Sequence, residues 1–138
     1  KILRKDIHDI DKALFKNLKQ GGFSVILPDH VPDPSGGIVA PFFGINTLTS
    51  TLAPKLAQKT KCRLISMVCV RSQSNDGYNI YINDAGLQYP KLYDPDTYIS
   101  TTTMNKVVED LVNQFPEHYM WGYKRFRGSK ETEKLYTL

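Results

Sequence analysis

Residues 23 to 37 read FSVILPDHVPDPSGG, and no regular element can run through them. Pro28, Pro32 and Pro34 each remove a backbone donor and fix φ, while Gly36 and Gly37 free the backbone, so a helix or strand entering from either side must stop here. The chain is thereby committed to short elements packed across a loop. Upstream, Ile7, Ile10, Leu14 and Leu18 recur at i, i+3, i+7 and i+11, which predicts a first helix with Asp6 at its N-cap and Gly21 or Gly22 as its stop. Phe23 to Leu27, apolar apart from Ser24, reads as a short buried strand whose ladder ends at Pro28.

Downstream, a second helix is predicted over Thr51 to Thr60, with Leu52, Ala53 and Leu56 inward and Pro54 in its first turn. Arg63 to Val70 and Tyr78 to Ile82 read as two strands joined by Ser74-Asn75-Asp76-Gly77 into a hairpin. Leu87 to Ser100 holds Pro90 and Pro95 and has no usable period. Met104, Val107, Val108, Leu111 and Phe115 mark a third helix, capped by the threonines at 101 to 103 and stopped by Pro116. Lys130 to Leu138 reads as a trailing segment. The order helix, strand, helix, strand, strand, helix predicts an α/β domain, a mixed sheet flanked by helices.

The length of 138 residues, 41% hydrophobic and 23% charged, suits one domain with one core. The chain enters a helical pattern soon after Lys1 without an initiator Met, so the expectation is a partial domain. No window reaches the roughly 18 consecutive apolar residues of a membrane span, and no leader-like pattern opens the sequence, which predicts a soluble or peripheral segment. Cys62 and Cys69 are seven apart in one apolar run and would point to opposite faces of a strand, so they read as free thiols of a reducing compartment.

The net charge of +4 is gathered late: Lys124, Arg125, Arg127 and Lys130 follow the aromatic run Tyr119-Met120-Trp121-Gly122-Tyr123. Such a patch suits phosphate on lipid, sugar or nucleic acid, and charge alone does not choose. Among the three histidines, His8 reads as an exposed helical residue and His118 as a capping or packing residue at a helix stop. His30 alone stands at a strand end beside carboxylates. His30, Asp29 and Asp33 lack a fourth metal ligand, no Gly-x-Ser-x-Gly elbow is present, and the paired glycines lack the Lys-Ser/Thr ending of a phosphate loop. No metal or other cofactor is expected.

Taken in order, Arg4-x-Asp6 before a helix, GGFSVILPDHVPDPSGGIVAPFFG, a threonine-rich stretch, RLISMVCV, MNKVVEDLVNQFPEHYMW and YKRFR resemble the C-terminal half of the bacterial lipid A biosynthesis acyltransferases, the lauroyl/myristoyl family. The likeness covers nearly the whole chain. It implies a glycerolipid acyltransferase-like fold at the cytoplasmic face of the bacterial inner membrane. It also implies acyl carrier protein as acyl donor and a lipid A precursor as acceptor, with a membrane surface and no nucleic acid as partner. That family uses a His-x4-Asp or His-x4-Glu pair as base and orienter. Here Ala13, Ser35 and Tyr123 occupy the corresponding places after His8, His30 and His118, so the pair is absent and is expected upstream of Lys1.

By the same resemblance, Leu27-Pro28-Asp29-His30 is the counterpart of a strand-end motif that helps bind the acceptor's phosphate region. Asp29 would orient a basic partner or a substrate hydroxyl, His30 would bond near the headgroup, and Arg4 would face the same cleft. Lys124, Arg125 and Arg127 would meet lipid or carrier phosphates, and Pro41-Phe42-Phe43-Gly44 would wall an acyl chain, or else pack as a core turn. A competing reading is a non-catalytic module that holds anionic lipid or nucleic acid on its basic aromatic tail.

Overall fold

The computed structural model describes residues 7–74, 76–128, 132 and 134–136, with side chains from residue 12 onward. The expected cap Asp6, the candidate site residue Arg4, and Lys130 lie outside the described residues. The first helix, α1 (Ile7–Lys19), forms where its apolar stripe places it, and among its described side chains Leu14 and Leu18 are half-buried. It packs on α2 (Leu52–Thr60), which carries Pro54 in its first turn and ends on Lys61 in the left-handed region (φ 57°).

Phe23 to Leu27 departs from expectation. The segment is extended but joins no ladder among the described residues, and Phe23, Val25 and Leu27 are 84%, 76% and 61% exposed. Only Ser24 and Ile26 are half-buried. A run apolar on both faces is a strand that wants cover on two sides, and here one side has it.

Gly37 to Ser50 hold a hairpin the hydrophobic pattern did not reveal: β1 (Gly37–Phe42) pairs antiparallel with β2 (Ile45–Ser50) across a two-residue turn, Phe43-Gly44. Both turn residues have positive φ, 48° and 76°, the geometry that matches the right-handed twist of a hairpin. The pattern misleads because Thr47 and Thr49 point inward and are fully buried while Val39 is half exposed.

The second hairpin is where the sequence puts it, β3 (Ile65–Arg71) against β4 (Tyr78–Asp84), in the register Met67↔Ile82 and Cys69↔Ile80. Its outer face carries Ile65, Met67, Cys69, Ile80 and Ile82, all exposed. The α/β class holds, but the strands of the described residues form two small antiparallel sheets instead of one mixed sheet.

Residues 84 to 96 are organised by two aspartates. Asp84 accepts from Leu87 N–H (2.9 Å) and caps the short α3 (Ala85–Gln88), which leads into a 3₁₀ turn, Pro90–Tyr93. Asp96 accepts from Tyr98 N–H (2.7 Å) and Ile99 N–H (3.3 Å) and starts α4 (Thr97–Gln114), so the threonines at 101 to 103 lie inside the helix and do not cap it. Ala53, Ala85, Leu92, Met104 and Val107 form the main core, with Ile26, Leu64, Tyr89, Tyr93 and Leu111 packed around it. A 3₁₀ turn, Pro116–His118, ends α4. Of the trailing segment, Lys134–Tyr136 form a 3₁₀ turn whose Tyr136 hydroxyl accepts from Phe126 N–H at 2.9 Å.

Candidate functional site

An apolar cavity of about 690 Å³ lies between Phe23–Asp29, β3 and α4. Ile26, Leu56, Met104, Val107 and Leu111 give it a hydrocarbon wall, and Asp29, His118 and Tyr119 are among its few polar residues. Its size falls within the roughly 300–1,000 Å³ of small-molecule sites. Pro28 breaks the extended segment, and Pro28-Asp29-His30 form a turn of which Pro28 and Asp29 line the cavity. Tyr123 fixes that turn: its hydroxyl accepts from Val31 N–H at 2.8 Å, and its ring meets His30 at 5.2 Å.

Asp29 is half-buried and within electrostatic reach of both Tyr119 and Arg125. Burial, with the Asp29 carboxylate beside it, pushes the Tyr119 phenol up to about 12, so it stays neutral through the physiological range. The phenol oxygen is buried and makes no well-formed hydrogen bond with the described residues. Burial lowers the pKa of Arg125, and the neighbouring Tyr119 and Asp29 act against that shift.

Arg125 is the residue whose placement differs most from expectation. The sequence reading set it on the surface against phosphate, whereas the fold leaves it 2% exposed. Its Nη1 donates to Leu48 O (2.8 Å), its Nη2 to Thr49 Oγ1 (2.9 Å), and its guanidinium lies 5.0 Å from the centre of the Phe42 ring. Thr47 Oγ1 donates to Arg125 O (3.3 Å), and Asn105 of α4 donates to Pro41 O (2.8 Å) and Thr49 Oγ1 (3.1 Å). The inward threonines of β2 thus exist to satisfy a cation and an amide. Lys124 is exposed, with its Nζ 5.5 Å from the centre of the Tyr136 ring.

Of the sequence-derived candidates, the fold brings Asp29 and Arg125 together, keeps His30 at the same turn against Tyr123, and turns Lys124 outward. Phe42 is a core residue over Arg125, and Phe43 sits at the hairpin tip with its N–H donating to Glu109 Oε1 (2.7 Å), so this pair packs against neither the cavity nor its rim. Tyr119 and Tyr123 were missed as individual residues. Their signal was the aromatic run itself, which was read as a neighbour of the basic residues and not as a wall of the site.

A hydrocarbon-lined cavity with a carboxylate at one edge suits an amphipathic ligand, long and apolar with a polar end. Comparison with known proteins narrows the class. Residues 3–128 match the family model described as Bacterial lipid A biosynthesis acyltransferase. The chain is 31% identical over 129 residues to the lipid A biosynthesis lauroyltransferase of Escherichia coli strain K12, covering 93% of this chain and 40% of the relative. It is 28% identical over 111 residues to the palmitoleoyltransferase of the same strain, covering 80% and 35%. A lipid A biosynthesis acyltransferase of Haemophilus influenzae strain Rd is 27% identical over 125 residues, covering 91% and 38%. The chain belongs to the bacterial lipid A biosynthesis acyltransferase family. It spans about two fifths of the length of the curated relatives it matches.

Proposed function

We propose that this chain is the substrate-holding part of a lipid A acyltransferase. An acyl chain lies in the apolar cavity, and Asp29 and His30 receive the acceptor at its rim. Asp29 accepts a hydrogen bond from an acceptor hydroxyl; an anion would repel a phosphate, so the phosphate partner is a cation, for which Arg4 is the candidate. Arg125 acts from behind by holding the hairpin and the tail, while Lys124 remains open to solvent. The observation that supports this reading is the presence of Asp29 on the wall of a cavity lined mainly by apolar side chains, with Arg63, His118 and Tyr119 among its other polar residues.

The reaction is ester formation at the expense of a thioester on acyl carrier protein, at the cytoplasmic face of the inner membrane. The acceptor hydroxyl oxygen attacks the acyl carbonyl, its proton goes to a base, and the C–S bond breaks as the carrier thiol leaves. No histidine of this sequence has the carboxylate five residues on that the family's base requires. A missing general base costs about 10²–10⁴ in rate, so these 138 residues alone are expected to be inactive. The chemistry calls for no cofactor and no nucleic acid.

The test is a chimera in which this chain replaces the matching 129 residues of the Escherichia coli lauroyltransferase, assayed for transfer from acyl-acyl carrier protein. Activity is expected, with Asp29→Ala and Arg4→Ala each lowering it at least tenfold, about the effect of one charged hydrogen bond. Undiminished rates in both variants would remove the site assignment.

A further inference from the structure

The segment after α4 is tied down more firmly than its composition suggests. Trp121 N–H donates to Tyr119 O (2.9 Å), Tyr123 N–H to Met120 O (3.0 Å) and Arg125 N–H to Tyr123 O (2.8 Å). The Trp121 indole N–H donates to Pro116 O at 2.7 Å, and its ring meets Tyr119 edge to face at 5.0 Å. One end of the turn is anchored by the 3₁₀ turn that closes α4, the other by buried Arg125. Yet Met120 and Trp121 are 71% and 63% exposed, fixed outward although an apolar cavity begins at the adjacent Tyr119.

From Tyr119 to Gly128, the stretch that holds this apolar pair, every charged residue is a cation. Lys124 and Arg127 are exposed, Arg127 above the Tyr123 ring at 5.6 Å, and no acidic residue occurs from Tyr119 to Gly128. Glu117, exposed in the 3₁₀ turn, is the nearest acid in sequence. An outward indole beside a flexible thioether, flanked by exposed cations, is the chemistry of a water–lipid boundary: indole settles at headgroup level and cations meet lipid phosphates.

We infer that the Met120–Trp121 turn is a docking wedge that enters an anionic lipid surface, with Lys124 and Arg127 on the headgroup phosphates. The choice of a bilayer rests on the lipid acceptor proposed above. Docked in this way, Tyr119 brings the cavity beside the lipid from which an amphipathic ligand would come.

Trp121 is the one tryptophan of the chain, so its fluorescence reads the wedge directly. The 138-residue chain is mixed with vesicles of phosphatidylcholine, with and without phosphatidylglycerol. Emission is expected to shift to the blue and to be quenched by brominated lipid when phosphatidylglycerol is present. In vesicle sedimentation, Trp121→Ser and Met120→Ser should each weaken binding about tenfold, and Lys124→Ala and Arg127→Ala each about fivefold. Three results would each overturn the wedge: unchanged emission at saturating vesicles, undiminished binding of Trp121→Ser, or emission blue-shifted without lipid and rising with protein concentration, which would mean a second copy covers the turn. No acyl transfer is read, so loss of the wedge leaves the cavity assignment standing, and an inactive chimera leaves the wedge standing.

Discussion

Arg125 spends its positive charge inside the protein. Three polar groups of β2, Thr47 Oγ1, Leu48 O and Thr49 Oγ1, bond to it, and no carboxylate lies within ion-pair distance among the described residues. Truncating it would take the guanidinium donor from buried Leu48 O and one partner from each threonine hydroxyl, leaving Thr47 Oγ1 its bond to Arg125 O and Thr49 Oγ1 its bonds with Asn105 and Thr47 O. Arg125→Ala is therefore expected to lower stability by about 2–4 kcal/mol in urea denaturation. Arg125→Lys should recover less than half, because an ammonium cannot serve Leu48 O and Thr49 Oγ1 together as a planar fork does. A midpoint unchanged by Arg125→Ala would show that the network holds nothing. Tyr119 makes a second prediction. Its folded pKa of about 12 lies above the ordinary 10.0, so the unfolded chain loses this proton first as pH rises. Stability from this group is whole below about pH 10 and falls between 10 and 12. Tyr89 and Tyr93 are shifted in the same direction, so Tyr119→Phe should reduce, without abolishing, the drop in urea midpoint between pH 9 and 11. Neither role was legible in the sequence, where Arg125 is one of four clustered cations. Its burial is decided by threonines that lie 76 and 78 positions away along the chain.

The three longer helices were readable because each carries an apolar stripe at helical spacing; the short α3 carries none and was not read. Their starts were less readable. The helix α4 begins at Thr97 because Asp96 can accept from two orphan N–H groups there, which the threonines five residues later cannot do. Asp96→Ala is expected to cost about 1 kcal/mol, read as a lower thermal midpoint, and Asp96→Asn or Asp96→Ser to cost less. The first hairpin was hidden for two reasons. Its inward positions are polar, and its turn holds phenylalanine where asparagine or glycine is usual. Phe43 at φ 48° bears a conformational cost of about 1–2 kcal/mol, partly offset by its N–H bond to Glu109 and its edge-to-face contact with Phe42 at 4.8 Å. Phe43→Asn should therefore leave stability unchanged or raise it by up to about 1 kcal/mol. A loss beyond about 1 kcal/mol would mean that the Phe42–Phe43 contact outweighs the turn.

Across the whole molecule, apolar surface is unevenly covered. The core side chains between α2, α3 and α4 are buried and form one wall of the cavity, while Phe23, Val25 and Leu27 and the outer face of β3 and β4 are exposed. Patches this extensive are uncommon on isolated domains and favour association. Met67→Lys combined with Ile80→Lys is expected to raise the solubility of the purified chain while leaving its urea midpoint within about 0.5 kcal/mol, since neither side chain belongs to the core. Unchanged solubility in light scattering would absolve this face. The α/β class was legible because it follows from element order, and the pairing of β3 with β4 from the turn between them; the pairing of β1 with β2 was not, because its inward positions are polar.

The tie between β2 and Arg125 also sets an order of events in the cell. Thr47 and Thr49 emerge from the ribosome long before the guanidinium that satisfies them, and synthesis proceeds at about 5–20 residues per second. For several seconds the young hairpin holds two hydroxyls and a carbonyl without their lasting partner, open to water or to a chaperone, and it becomes native only when Arg125 arrives.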